Sequence, residues 1–467
     1  AISDAYTNRR DDIMETGTHV IEHIKSNSRP SVSDETFKSQ NLVQAYENLE
    51  QQFDWKLGGF GSPIKFPQPF VHEFLLRYNS FDPDSRALEM VEYSLKSMAS
   101  GGIYDHVGGG FHRYSTTSDW LIPHFEKMLY DNALLARLYF HTFQVTGDEF
   151  YKYIGLDILE YIGRDMTSSA GLFYSASDAD SEGIEGAYFV WSMDELSSIV
   201  ELDKANLLLE FFDITERGNF EGNNILRYSP DSDKHPFLQD QTGQLTAIRE
   251  RLLEHRYKRV PPLRDEKVIF SWNALMCHAF LDGNAATGDP ELLEKAIINI
   301  KTLLELSKEY GGIFRSWKDG KFSGYGFLDD YSNFINVLIR AHALTSDPEY
   351  LSEALRLADS MILEFWDSAD EVFYDTPNNG ETLIYRPNDY YDNAVPSGAS
   401  AACVALRDLS TIFNISKYKD IYKSLNRAVS ADAFQHPTAF GNWLCEISDE
   451  LGGTVEVAII GPHNKDI

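Results

Sequence analysis

Residues 101–132, GGIYDHVGGGFHRYSTTSDWLIPHFEKMLYDN, gather more groups able to do chemistry than any other window of the chain. His106, His112 and His124 are joined there by Asp105, Glu126, Arg113 and Lys127, around the glycines Gly108, Gly109 and Gly110. Glycine opens backbone conformations closed to other residues and allows close approach of a ligand. A loop so rich in titratable and aromatic groups reads as the lip of a pocket. A carboxylate beside an imidazole can orient it and raise its basicity, so Asp105–His106 and His124–Glu126 are candidate proton-transfer units. Arg113 can hold a hydroxyl pair or a carboxylate with its planar fork.

PHFEKMLYDN reads as the start of a helix facing the pocket. His124, Met128 and Asp131 would then share one face, and Glu126 and Tyr130 a neighbouring one. The helix dipole at that end favours a neutral histidine able to act as a base. Asp178-Ala-Asp180-Ser-Glu182-Gly183 opens like a calcium loop, but Phe189 occupies the twelfth position where a bidentate Glu is required. Asp178, Asp180 and Glu185 therefore remain as carboxylates of a rim loop, set against an equally simple turn-making role. No HExxH or equivalent spacing occurs, and neither a metal nor a cofactor is assigned. SGAS (397–400) is not a nucleophile elbow, because GxSxG and its preceding strand are lacking.

The elements around these groups are helical and repeat. Residues 124–166, 271–306, 326–366 and 398–434 each read as a helical hairpin. Thr146-Gly147-Asp148, Thr287-Gly288-Asp289 and Thr345-Ser346-Asp347 form three of the joints, with Asp as N-cap and Pro290 or Pro348 in the first helical position. Gly–aromatic motifs recur at the opposite ends: Gly58-Gly59-Phe60, Gly109-Gly110-Phe111, Gly171-Leu172-Phe173 and Gly311-Gly312-Ile313-Phe314, with Glu371-Val372-Phe373-Tyr374 in the same place. Further helices are expected over 36–53, 68–79, 85–99 and 241–257. Long, chemically rich loops at one end favour a closed all-α (α/α)6 toroid over an open solenoid. GAYFVW (186–191) is expected as a strand of a small rim hairpin and TVEVAIIG (454–461) as a terminal strand.

On that reading several inner helices present chemistry at one end. Trp272 and Asn273 open one, Asp330 and Tyr331 (after Asp329) another, and Asp392 and Ser397 precede the last. With Trp120 and Tyr130 these make the stacking and hydrogen-bonding surface that a sugar needs.

Composition limits the function classes. With 72 acidic against 41 basic residues the net charge is −31, and no basic patch with interleaved aromatics occurs, so nucleic acid is not an expected partner. No run approaches the roughly 18 apolar residues of a membrane span, and the first residues lack a hydrophobic signal region. Cys277, Cys403 and Cys445 form no CxxC, zinc or disulfide pattern, which suits a reducing, cytoplasmic setting.

Seven segments carry a family resemblance: GGFGSPIKFPQP (58–69), GGIYDHVGGGFHRYSTTSDWLIPHFEKMLYDNALL (101–135), SASDADSEGIEGAYFVW (175–191), GNFEGNNIL (218–226), KVIFSWNALM (267–276), GFLDDYSNFI (326–335) and DNAVPSGAS (392–400). In this order they resemble the large domain of the YyaL-like, spermatogenesis-associated thioredoxin-domain proteins. The resemblance implies a six-hairpin glycosidase-like toroid over residues 31–452, similar to those of sugar 2-epimerases and several glycoside hydrolases. It also implies that residues 1–30 are a linker helix trailing a thioredoxin domain missing from this sequence, and that 453–467 begin a truncated segment.

The expected function is a carbohydrate-active enzyme on a small saccharide or glycan. Proton transfer of the 2-epimerase or isomerase type would use His124 and His106, with Glu126 orienting and Arg113 holding the substrate. Asp105, Trp120, Lys127, Tyr130, Asp131, Glu185, Trp272, Asn273, Tyr331 and Asp392 complete the expected binding surface. A glycoside hydrolase would instead pair Asp178 or Asp180 with Asp330 or Glu126. A non-catalytic sugar-binding or interaction module partnering a thioredoxin domain is the reading from another class. The sequence leaves the oligomeric state undefined.

Overall fold

A computed structural model of the chain describes residues 2–27, 37–200, 202–228, 235–240 and 242–453. Its body is an (α/α)6 toroid in which outer and inner helices alternate along the sequence. The inner ring comprises Pro69–Phe81, Leu129–Thr146, Phe270–Thr287, Leu328–Thr345, Gly398–Phe413 and Gly441–Gly452. Each packs on the next, and Gly441–Gly452 closes the ring against Pro69–Phe81. The outer layer is Ser39–Gln52, Ala87–Ser100, Glu149–Asp165, Pro290–Tyr310, Pro348–Phe365 and Ser416–Gln435. One continuous apolar core runs between the layers, from Leu42 and Leu49 to Trp443 and Ile447.

The joints form as their sequence dictates. Gly147, Gly288 and Ser346 take the left-handed conformation that ends the inner helices. Asp148, Asp289 and Asp347 then accept from the amides of Phe150, Glu291 and Glu349 at 2.9–3.0 Å. Each Asp amide also donates to the hydroxyl of the threonine two residues earlier at 3.2 Å.

The Gly–aromatic motifs are anchored from the inner helices. Asn132 accepts from the Phe111 amide at 2.7 Å and donates to the Phe111 carbonyl at 3.0 Å. Asn273 repeats this on Phe173 at 2.8 and 3.0 Å. Both asparagines are the fourth residue of their helix and are fully buried. Gly110, at φ +75°, runs so close beneath Tyr161 that a Cβ would lie 2.5 Å from its ring. Asn132→Ala should cost about 1–3 kcal/mol, because the Phe111 amide and carbonyl lose their buried partner. A change in urea-denaturation free energy below about 0.5 kcal/mol would refute that anchoring.

Several expectations shift. The helix over 241–257 exists as Gln244–Arg256 but lies outside the ring. With Met193–Ile199 and Leu202–Phe211 it builds a satellite cluster around Trp191, Leu196, Phe212, Tyr228 and Ile248, which covers Val107 of the glycine loop. The ring helix Gly441–Gly452 was not expected. PHFEKM is extended: Pro123–His124 pairs with Tyr114–Ser115 and Lys127–Met128 with Ala176–Ser177, so the helix starts only at Leu129. The rim hairpin is Asp180–Ser181 with Ile184–Glu185, whereas 186–190 coils in turns closed by Phe189 and Val190 amides on the Gly186 carbonyl. Residues 454–461, expected as a strand, lie outside the described residues.

Candidate functional site

The loops before the inner helices meet at the N-terminal mouth of the ring. Two short strands set the first group of side chains, because pairing of Tyr114 with His124 brings both onto one edge. The His124 ring stacks on Tyr114 at 5.2 Å, and Tyr114 packs on Phe66 at 4.8 Å. His124 Nδ1 lies 2.7 Å from Glu185 Oε1 on the neighbouring hairpin, and Nε2 lies 3.7 Å from Glu126 Oε2. A carboxylate only accepts, so the proton shared with Glu185 is carried on Nδ1, and the pair turns Nε2 toward Glu126. Arg113 Nη1 donates to Glu126 Oε2 at 3.0 Å, with the Arg113 amide also on the Glu126 carbonyl. These side chains keep 25–48% exposure and therefore face solvent.

Beneath them lies the start of the Leu129–Thr146 helix. Tyr130 packs edge-on to Trp272 at 4.7 Å. Asp131 is buried with Oδ2 lacking any hydrogen-bond partner. Burial lifts its carboxyl well above the usual range, with Glu126 adding to the rise and Arg113 opposing it. Trp272, half-buried, continues the wall toward the next inner helix.

There a second charged group sits. Arg315 Nη1 donates to both oxygens of Asp329 at 2.8 Å, to Asp330 at 2.9 Å and to the Ser271 hydroxyl at 3.3 Å. Asp330 is fully buried and accepts from the Ser271 and Phe327 amides, which makes it a helix cap. Burial, reinforced by Asp329, lifts its carboxyl to about 7. Asp375 accepts from the Asp389 amide at 3.0 Å, and burial, with Asp389 and Asp329 adding to it, likewise lifts it to about 7.

Sequence reasoning overlooked Arg315 and Asp375. A signal for Arg315 existed: GGFHR (109–113) and GGIFR (311–315) are near copies, and each arginine holds a carboxylate beside the adjacent inner-helix start. Asp375 stands in an irregular loop with no such cue.

Other expected residues belong to the scaffold. His106 is buried against Phe212 and Tyr228, hydrogen-bonds the Gly101 carbonyl at 3.0 Å and is pushed down to about 4 by burial. It therefore does not join His124 at the mouth. Asp105 accepts from Arg256 and Lys127 at 2.8 Å and from the Val107 and Gly108 amides, so Asp105 and Lys127 lock the glycine loop internally. Trp120 is buried and donates to the Leu57 carbonyl. Asn273 anchors Phe173, and Tyr331 packs on Phe365. Asp392 accepts from the Ser397, Asn442 and Trp443 amides and the Ser400 hydroxyl, capping two inner helices at once. Asp178 and Asp180 are exposed on the rim hairpin region; Asp178 accepts from the Ala179 amide. Among the described residues no cluster of His, Cys, Asp and Glu has metal-binding geometry, and no helix is long and apolar enough to cross a membrane. The three cysteines are buried free thiols.

The (α/α)6 architecture is shared with solved structures of other proteins. It aligns with a D-mannose isomerase at a TM-score of 0.55, with 11% identity over 84% of this chain and 87% of that one. It aligns with the GH76 alpha-mannanase of Bacteroides thetaiotaomicron at 0.54, with 9% identity over 89% and 95%. At sequence level the chain is similar to spermatogenesis-associated protein 20, being 32% identical to the Homo sapiens protein over 90% of this chain. The chain spans 59% of that relative's length. No family model matches it.

Proposed function

We propose that the chain is a sugar isomerase in which His124 moves a proton between neighbouring carbons of an open-chain monosaccharide. The observation that supports this is the His124–Glu185 pair, which orients Nε2 at a solvent-facing mouth beside Arg113 and Glu126. His124 Nε2 takes the proton from C2, the carbonyl oxygen O1 gains a proton, and an enediol forms. Return of the carried proton to C1, with loss of the O2 proton, yields the ketose. One base on one face suffices for this transfer. Inversion at C2 would need a second base on the opposite face, and His106, the expected partner, is buried elsewhere. Arg113 and Glu126 hold hydroxyls, and Trp272 and Tyr130 offer the apolar sugar face a surface.

Mannose is the first substrate to try, since a D-mannose isomerase shares the fold. Incubation with aldohexoses in deuterium oxide should give the ketose, with solvent deuterium entering at C1. Absence of both product and exchange across the aldohexoses and their ketoses sinks this reading. Hydrolysis is the second reading, supported by Asp375, lifted to about 7 near Asp329, as an acid beside a carboxylate held by Arg315. Release of reducing sugar from mannosides, without exchange in monosaccharides, would select it.

A further inference from the structure

The interior of the toroid holds a second polar constellation far from the mouth. On three consecutive inner helices the ninth and thirteenth residues are polar and in register: Arg137 and His141, His278 and Asp282, Asn336 and Arg340. Residues four apart share a helix face, so these pairs project onto one level of the ring axis. Glu73 and Arg77, Arg407, and Glu446 and Asp449 add the other inner helices. Ten residues of helix separate this level from the mouth, or about 15 Å.

The contacts around Asp282 leave a local cationic surplus. Asp282 is the common acceptor, taking Arg137 Nε at 2.9 Å, Arg340 Nε at 2.9 Å and His141 Nε2 at 3.3 Å. His141 Nδ1 lies 2.6 Å from Glu73, and despite burial its two carboxylates lift it to about 9, so it is charged at neutral pH. Glu73 is shared with Arg77 at 2.9 Å, Arg77 with Asp449 at 3.3 Å, and Asp449 with Arg407 at 3.0 Å. Arg407 also pairs with Asp408 at 3.0 Å and with Glu446, which burial lifts to about 8 and so weakens as a counter-charge. Around Asp282, three cations thus converge on one carboxylate.

Both arginines meet Asp282 side-on through Nε. The two Nη groups of Arg340 and Nη1 of Arg137 make no hydrogen bond to described residues. His278, between them, is pushed well below its ordinary range by burial and by Arg137, and it stays neutral. Side-chain exposures of 23% for Arg137, 24% for His141 and 32% for Arg340 show that solvent reaches this level. The free fork of Arg340 and the free Nη1 of Arg137, on one level of the ring axis, suit the several acceptor oxygens of a tetrahedral oxyanion. Such a locus is out of character for a chain of net charge −31, whose average field repels anions.

We propose that the axial lumen binds a small inorganic oxyanion of the phosphate or sulfate type, held by the two Nη groups of Arg340 and by Nη1 of Arg137. The anion ties the helices Leu129–Thr146, Phe270–Thr287 and Leu328–Thr345 together across the axis. This site is independent of the sugar reading at the mouth.

The test compares phosphate with chloride at matched ionic strength and pH, reading the thermal midpoint. Wild type and His124→Ala should gain about 2 °C or more with saturating phosphate over chloride, and Arg340→Gln should lose that difference. In parallel, crystals soaked in selenate should show an anomalous peak within hydrogen-bond distance of Arg340, a readout that needs no variant. Equal midpoints in phosphate and chloride for wild type, or an undiminished phosphate gain in a folded Arg340→Gln, would overturn the proposal. So would selenate peaks confined to the outer surface, which would mark an adventitious ion only.

Discussion

Asp105→Ala should cost about 3–5 kcal/mol of stability, the largest loss expected from any single change in the glycine loop. Asp105 is buried and receives Arg256, Lys127 and two amides, so its removal leaves two cations unpaired in the interior. Burial opposes its charge, yet Arg256 and Lys127 overcome that and hold its carboxyl well below the usual range. A carboxylate depressed in the folded state adds stability above its unfolded value, near pH 4, and that contribution fades as the pH falls further. Wild type should therefore lose stability on acidification more steeply than Asp105→Asn does. Urea titrations at neutral pH and near pH 3 measure both effects. Parallel acid limbs in the two proteins would show that this ion pair is not what holds the loop.

His124→Ala should lower kcat/KM for the isomerisation about 100- to 10,000-fold, the range ascribed to a lost general base. The fold should survive, because the His124 side chain is partly exposed. Glu185→Gln should give a smaller loss, since an amide can still accept from Nδ1 but no longer stabilises the positive imidazolium. If His124→Ala retains wild-type exchange of deuterium at C1, the base is another group.

Local chemistry made much of the ring legible. TGDP states a helix end, a cap and a helix start within four residues, so no distant partner is needed to read it. The extended PHFEKM segment was misread because its conformation is decided elsewhere: Lys127 pairs with Ser177, fifty residues on. The same holds for His106, whose exclusion from the mouth depends on Phe212 and Tyr228 in the satellite cluster. GNWLCEISDELG escaped notice as an inner helix because its acids, Glu446 and Asp449, look like a solvent face. They are instead the wall of a polar lumen, where Arg407 meets both. At the mouth, residue type marked His124, Glu126 and Arg113, but only tertiary structure brings Glu185 onto His124 Nδ1.

The closure of the ring has a kinetic consequence. Its sixth hairpin joins Ser39–Gln52 to Gly441–Gly452, with the Asn48 side chain donating to the Phe434 carbonyl across 386 positions of sequence. Gly441 runs against the backbone of Phe70 and Val71, where a Cβ would lie 2.7–2.8 Å away. The first inner helix, Pro69–Phe81, therefore waits until Gly441–Gly452 has been made before its last neighbour exists. Until then one flank of Pro69–Phe81 stays bare, an aggregation-exposed interval of the kind that contacts of long sequence separation impose. A circular permutant opened at the Thr345–Asp347 joint would move that waiting edge to a different helix pair without altering the finished ring.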